Sequence, residues 1–466
     1  MNHAVPRDPA LPQLATALNG QAMAEVFASQ LRSHGQLKVQ GCAVNRVKYR
    51  PRRNCSVSYT LALRDQGSGR AFEQRVAARF CVDGDSARRH AKLSGRVSHP
   101  SAAGPTLTHL ASLDLVLQWA PNDPRLAAVA ELYDDTRLRS CWLPEVVAAM
   151  TCGQGRLLDH RTSLVQYVPE HRVCARIDMQ LQEAPGAPTV TRTVYAKADA
   201  EQRGPITHKV MQALSGSAAQ LTGKLRTPRS ILWQAQPRLH WQEGVVGRTV
   251  LELSPHLDPR LAARIGALVA ALHATPVSTP RVDTVAEFEH RPRQVAAILG
   301  LVEPGWQPLL GRLVSALEAG AHKLASLPVV TLHGDLHPHN ILLDGRHLTL
   351  IDLDSVRQGS AVSELGAWVA DALYRAVLDD LDPDAVRRGW RAFLEGYADA
   401  AGQATVAQPL LAWSTAYHLL CKRAYRCVAN LQPGRFEVVP KLLALADSIA
   451  SAGTVCVDTM RERESA

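Results

Sequence analysis

The chain has 466 residues, 46% of them hydrophobic and 20% charged, with a formal net charge of +9 at pH 7; this mix excludes a disordered chain and leaves length for two or three domains. No stretch reaches the roughly 18 uninterrupted apolar residues of a membrane-spanning helix, and Met1 to Gly20 places Pro, Asp, Asn and Gln where an export signal needs an apolar core, so a cytoplasmic protein with no membrane partner is expected. The nine scattered cysteines point to reduced thiols, and Arg interleaved with Asp and Glu, without a recognised binding motif, gives no ground for a nucleic-acid partner.

In chain order, Tyr49-Arg50-Pro51 opens a turn and Val76-Ala77-Ala78-Arg79 closes an apolar strand. Ala120-Pro121-Asn122-Asp123-Pro124 is rich in turn residues and leads into a helical pattern from Leu126 to Asp134, with a boundary expected near residue 140. Leu164 to Tyr167 and Val173 to Leu181 are expected as strands around the turn Pro169-Glu170-His171-Arg172, and Thr189 to Ala198 as a third strand containing Lys197. Thirty residues separate Tyr49 from Arg79 and thirty separate Tyr167 from Lys197, which predicts an internal repeat whose first copy has no catalytic hairpin of its own.

From Gln202 to Gln242 there is no acidic residue, and Glu201 lies before the expected helix, so the helix after Lys197 supplies no carboxylate to fix that lysine. Gly216 to Lys224 is not a phosphate loop, because its glycine spacing is wrong and Leu225 stands where Ser or Thr is required. Asp258-Pro259 caps a helix to His273, with Leu261, Ile265, Leu268, Val269 and Leu272 on one face. Further helices are expected from Trp306 to Leu327 and from Val362 onward.

The segment with the most chemistry runs from Val329 to Ser355. An apolar run enters the loop His333-Gly334-Asp335-Leu336-His337-Pro338-His339-Asn340, and two further apolar runs flank the turn Asp344-Gly345-Arg346-His347. The resulting hairpin brings Asp352 and Asp354 back toward the loop. Phosphoryl transfer needs one carboxylate at the attacking hydroxyl and oxygen ligands for magnesium on the nucleotide phosphates; Asp335, Asn340 and Asp352 supply that set. A plain acidic turn would not need two ordered spacings between apolar strands. A transition-metal cluster of His333, His337 and His339 lacks a helical register, because Pro338 interrupts it.

This pattern, His-Gly-Asp with an Asn five positions after the Asp and Ile-Asp on the following hairpin, resembles the aminoglycoside phosphotransferase and choline kinase group of small-molecule kinases. The resemblance implies an α+β, bilobal, protein-kinase-like fold with a small β-rich lobe and a mainly helical large lobe. Residues 1–140 would form an N-terminal module like a degenerate small lobe, 141–245 the nucleotide-binding small lobe, and 246–466 the large lobe. It implies Asp335 as the catalytic carboxylate, Asn340 and Asp352 as magnesium ligands with Asp354 beside them, and His333 as a brace of the loop. Lys197, on the third strand, would meet the nucleotide phosphates, Arg172 the same phosphates from the first turn, and Glu243, in the hinge of Leu239 to Gly247 with Gly244 and Gly247, the nucleotide base.

The implied activity is magnesium-dependent transfer of the terminal phosphate of ATP or GTP to a hydroxyl of a sugar, amino sugar or amino alcohol. The alternative is a nucleotide-binding regulatory pseudokinase with little turnover, prompted by the unpartnered Lys197 and by the appended N-terminal module. Trp368, Tyr374, Trp390, Tyr397, Trp413, Tyr417 and Tyr425 fall in helices that would wall the acceptor site, where aromatic faces stack on sugars or bind ammonium groups. Asp379, Asp380, Asp382 and Asp384 offer one polarity and Lys422, Arg423 and Arg426 the other, which leaves the acceptor's charge open; Glu364 stands where this group often has Asp.

Overall fold

A computed structural model describes residues 5–32, 36–96, 99–254 and 256–455; the ninth cysteine, Cys456, and the end of the C-terminal helical pattern lie outside them. Two five-stranded antiparallel sheets are followed by a mainly helical lobe. The first sheet contains β1 (Leu37–Arg50), β2 (Asn54–Asp65), β3 (Ala71–Phe80), β4 (Leu107–Leu110) and β5 (Leu115–Trp119) in the order β1-β2-β3-β5-β4. The second contains β6 (Arg156–Val168), β7 (Arg172–Gln182), β8 (Thr189–Asp199), β9 (Ser230–Gln234) and β10 (Leu239–Glu243) in the order β6-β7-β8-β10-β9. In each sheet a meander of three long strands leads to a helix, Asp85–Leu93 or Gly204–Ser215, and then to two short strands.

The two sheets agree in register as well as in order. Tyr49 pairs with Cys55 and Cys55 with Phe80; the shift in residue number that carries Tyr49 to Tyr167 also carries these pairs to Tyr167 with Val173 and Val173 with Ala198. It likewise carries the β1 irregularity between Val39 and Gly41 onto the one between Leu157 and Asp159 in β6. The first turn is pinned in the same way in both. Asp8 Oδ2 accepts from the Tyr49 hydroxyl and the Arg52 N–H, both at 2.8 Å, while Asp123 Oδ2 accepts from the Tyr167 hydroxyl at 2.9 Å and the Glu170 N–H at 2.7 Å. Arg52 and Glu170 both adopt positive φ, 55° and 58°. Each aspartate precedes a proline, Pro9 or Pro124.

Strand alternation decides which side chains meet the core. In β1, Val47 and Tyr49 are buried while Arg46, Lys48 and Arg50 stand on the other face; in β8, Val194, Ala196 and Ala198 point inward while Tyr195 and Lys197 do not. Beneath the first sheet, Phe27 of the helix Gly20–Ala28 packs edge-on against Tyr59 and Trp119, at 5.2 and 5.9 Å between ring centres. Leu126 to Val147 share a core with Tyr167, Ile177 and Trp241 of the second sheet. We therefore place the division between the two sheets between Trp119 and Leu126, upstream of the boundary expected near residue 140, because these helices bury their apolar faces against the sheet that follows them.

The large lobe is mainly helical, including Pro259–His273, Val285–Val302, Gln307–Ala321, Ala361–Asp379, Pro383–Ala401 and Gln408–His418. Asp258 caps the first of these through the N–H groups of Arg260 and Leu261, as its sequence predicts. Set among the helices, β11 (Arg248–Thr249) pairs with β13 (Ile341–Asp344), which forms a hairpin with β14 (His347–Leu350). The strand β12 (Val329–Leu332) instead pairs with β15 (Arg357–Ser360). Among the described residues, no helix is long and apolar enough to cross a membrane.

Candidate active site

The loop between β12 and β13 is held from below by one carboxylate. Glu364, almost fully buried at the start of Ala361–Asp379, accepts the His333 N–H at 2.9 Å and the Gly334 N–H at 2.7 Å. His273 Nε2 lies 3.0 Å from the same carboxylate, and His273 Nδ1 lies 2.9 Å from the Tyr397 hydroxyl. Burial raises the Glu364 carboxyl, but His273, His333 and the backbone donors leave it below its ordinary value. His333 donates from Nε2 to the Ile351 carbonyl at 2.8 Å, which leaves Nδ1 to accept from the Asp335 N–H at 3.4 Å. That carbonyl bond ties the loop to the far end of the hairpin. Gly334 has φ +79°, and a Cβ there would sit 2.2 Å from the Ser355 carbonyl oxygen, so only glycine fits.

Asn340 donates from Nδ2 to the Asp335 carbonyl at 3.0 Å, and its own carbonyl accepts the Ile351 N–H at 2.9 Å. Its side-chain Oδ1 has no partner among the described residues. Asp352, in the left-handed region at φ 61°, and Asp354 converge on Lys197 Nζ at 2.8 and 3.1 Å. Lys197 thus finds its counter-charge in the large lobe, not on the helix Gly204–Ser215. Burial works against its charge, yet Asp354 and Asp352 raise its ammonium above the usual range. The same lysine holds the Asp352 carboxyl well below its ordinary value, while burial pushes Asp354 up.

A cavity of about 360 Å³ lies between the lobes, and Arg172, Lys197, Glu243, Asn340, Asp352 and Asp354 all line it. The Nε of Arg172 is buried there without a hydrogen-bond partner among the described residues. Glu243 sits at the end of β10, ion-paired to Arg229 at 3.2 Å, and Gly244 donates to the Thr193 carbonyl at 2.8 Å. His240, opposite Lys197 in the sheet, lines this cavity too and was not expected from the sequence. Burial, reinforced by Lys197, lowers its pKa to about 3, so it is a neutral hydrogen-bonding group at pH 7. Its ring Nε2 lies 2.7 Å from the Ser230 hydroxyl. No motif marks such a residue; the outward side of a strand next to Lys197 is its only signal.

Asp335 faces the other way. Lys422 Nζ lies 2.7 Å from its Oδ1, and Arg426 reaches the same oxygen at 3.5 Å. Burial raises its carboxyl, but Lys422, Arg426 and His337 hold it far below the normal carboxylate range. Its neighbours Gly334 and Leu336 line a second, larger cavity of about 780 Å³, together with Arg291, Tyr417, Lys422 and Tyr425. Of the aromatic residues noted in the sequence, Tyr417 and Tyr425 reach this space; Trp368 and Trp390 are core, stacked or buried under Phe393 and its neighbours. The loop from Asp335 to Asn340 therefore has one end at each cavity. Arg46 of β1 also approaches from the first sheet, within electrostatic reach of Arg172, Arg426 and Arg435.

The histidines of the loop do not form a metal cluster, since His333 is engaged with the backbone and the rings of His337 and His339 meet edge-on at 5.8 Å. Among the described residues, no three His, Cys, Asp or Glu side chains are arranged around a common metal position. Asp352, Asp354 and Asn340 line one cavity and carry side-chain oxygens, the atom type that magnesium takes as ligand.

A small β lobe, a helical lobe and a cleft with a lysine and two carboxylates between them define a kinase-type phosphotransferase. Residues 106–404 match the family model described as the phosphotransferase enzyme family, APH, and the chain belongs to that family, as the resemblance of its catalytic loop implied. No curated protein matches the chain. Similar solved structures include a thermostable mutant of aminoglycoside phosphotransferase APH(4)-Ia in ternary complex with ADP and hygromycin B, at 14% identity and a TM-score of 0.44 over 67% of this chain and 98% of that one. Choline kinase LicA from Streptococcus pneumoniae is similar at 10% identity and a TM-score of 0.43, over 66% and 98% of the two chains. Choline kinase from Cryptosporidium parvum Iowa II is similar at 9% and 0.43, over 63% and 89%.

Proposed function

We propose that this phosphotransferase moves the terminal phosphate of ATP or GTP onto a hydroxyl of a sugar, amino sugar or amino alcohol, with magnesium as its cofactor. The observation that carries this reading is the placement of one loop across two cavities: Asn340 at the cavity that holds Lys197 and Arg172, and Asp335 flanked by residues of the other. Nucleotide phosphates would meet Lys197 and the unpartnered Nε of Arg172, with the base toward Glu243 and His240. Asn340, Asp352 and Asp354 would hold magnesium, which when bound spreads the negative charge of the phosphates.

Asp335 then works mainly by position. A carboxyl held so far below its usual range is a weak base, and a loose, largely dissociative transfer needs the hydroxyl oriented more than it needs it deprotonated beforehand. Asp335 would accept the hydroxyl's hydrogen bond and take the proton as the new oxygen–phosphorus bond forms and the bond to the nucleotide's bridging oxygen breaks. The large cavity beside Lys422 and Tyr425 is where the acceptor would lie. The pseudokinase alternative had two motives; Asp352 and Asp354 supply the partner that Lys197 lacked in the sequence, which removes the first and leaves the appended N-terminal module as the second.

Labelled ATP or GTP incubated with cell extract and the enzyme, with products read by mass spectrometry, would identify the acceptor. With that acceptor, Asp335→Asn is expected to lower kcat about 10²-fold to 10⁴-fold with little change in nucleotide affinity. Unchanged kcat would overturn the role of Asp335. Magnesium-dependent nucleotide binding by calorimetry, without transfer to any of a broad alcohol panel, would instead favour a regulatory protein.

A further inference from the structure

A third cavity, of about 260 Å³, lies between the first sheet and the turn Val168 to His171. Five cations line it: Arg46, Lys48 and Arg50 from one face of β1, Arg79 from β3, and Arg125 from the segment that joins the two sheets. None of the five makes an ion pair among the described residues. Glu170, the one carboxylate among the described residues that line it, is taken by the Arg89 guanidinium and by Gln118 Nε2 at 3.2 Å. Burial lowers the pKa of Arg46, Lys48 and Arg79 and neighbouring cations lower each further, while Glu201 acting on Lys48 and Glu170 acting on Arg79 offset this only in part.

The place in the fold is informative. Arg79 lies between Ser56 and Val116 in the first sheet as Lys197 lies between Cys174 and His240 in the second. Arg79 is thus the first sheet's counterpart of the lysine assigned to nucleotide phosphates. A wall of the cavity is the turn Val168 to His171, which leads directly into Arg172. Guanidinium groups favour phosphate because their donors pair with two of its oxygens at once.

We infer that the first sheet carries a second binding site, for a small phosphorylated molecule, bounded by the strand face of Arg46, Lys48, Arg50 and Arg79 and by the turn before Arg172. No catalytic loop faces it, so it binds without turnover. Its position against the phosphate-side turn of the nucleotide lobe makes it a site through which a phosphorylated metabolite adjusts nucleotide binding.

The test is calorimetric titration of the full-length protein with inorganic pyrophosphate in metal-free buffer. Three proteins are compared: wild type, Lys197→Met, and the double variant Lys48→Gln/Arg50→Gln, whose side chains stand on the strand surface away from the core. Lys197→Met is expected to keep one equivalent of binding, and the double variant to weaken that binding at least about tenfold, with affinity falling as salt rises. Arg79→Gln should weaken it similarly, and Lys48→Arg should retain it. No binding by wild type, or binding lost in Lys197→Met and kept in the double variant, would overturn the site. Neither outcome depends on catalysis, so the proposed phosphotransfer can fail or stand separately.

Discussion

At Asp335, burial and charge pull in opposite directions, and charge wins because Lys422 and Arg426 both reach one oxygen. The cost appears on Lys422: burial, against the pull of Asp335, lowers its pKa from 10.5 to about 8. Below that pH the ammonium is protonated and competes with an incoming hydroxyl for the carboxylate. As pH rises through about 8 the amine neutralises and Asp335 is released. The kcat/KM for the acceptor should therefore climb across pH 8, and the climb should be absent in Lys422→Met; a rise that survives the substitution would assign it elsewhere. The same shift makes the folded chain shed a proton that the unfolded chain keeps up to about 10.5, so this group's contribution to stability grows between those two values. Asp335, Asn340 and Asp352 were legible in the sequence because their spacing is local to one hairpin. Lys422 was visible only as a charge on a helix, and its contact with Asp335 is a product of tertiary packing.

The element that organises the cleft is the loop with its hairpin. Antiparallel pairing of Ile341 with Leu350 fixes how far Asp352 returns toward Asn340, so two short apolar runs and a turn were enough to foresee that meeting. The partner of β12 was not foreseen, because Arg357–Ser360 has neither alternation nor β-branched residues to mark it as a strand. Nor were the partners of Lys197, which lie 155 and 157 positions away and reach it only once both lobes are in place. Gly334 tests the loop's rigidity. With φ +79° and the Ser355 carbonyl 2.2 Å from any added Cβ, Gly334→Ala must move the backbone that carries Asp335. It should destabilise the protein by about 2 kcal/mol or more in urea titration and lower kcat by more than nucleotide affinity. A variant with native stability and native kcat would show that the loop has slack.

Across the whole molecule, the two sheets are legible as a repeat because thirty-residue spacings recur, yet the sequence did not show where one copy ends. The apolar residues from Leu126 to Val147 carry no mark of their partner in the sequence, and packing assigns them to the second sheet. Among the contacts between the copies, Arg89, on the helix after β3, grips Glu170 in the turn before β7, with both side chains about four-fifths buried. Removing one partner of such a pair leaves the other without compensation, so Glu170→Ala should cost about 3 kcal/mol. A double-mutant cycle with Arg89→Ala should return a coupling above about 1 kcal/mol; additive losses would show that the copies are held by other contacts.

Arg46 comes from the first sheet, Arg172 from the second, and Arg426 and Arg435 from the helical lobe, and the charges of the other three all bear on Arg46. Like charges supplied by three separate parts of the chain push those parts apart, and Asp335, 3.5 Å from Arg426, offsets that push in part. Sulfate, or a reactant with enough negative charge, would then serve as mortar. Small-angle scattering should record a smaller radius of gyration when sulfate is added than when chloride of equal ionic strength is added. An Arg46→Gln protein should already be drawn in and show a smaller difference between the two salts.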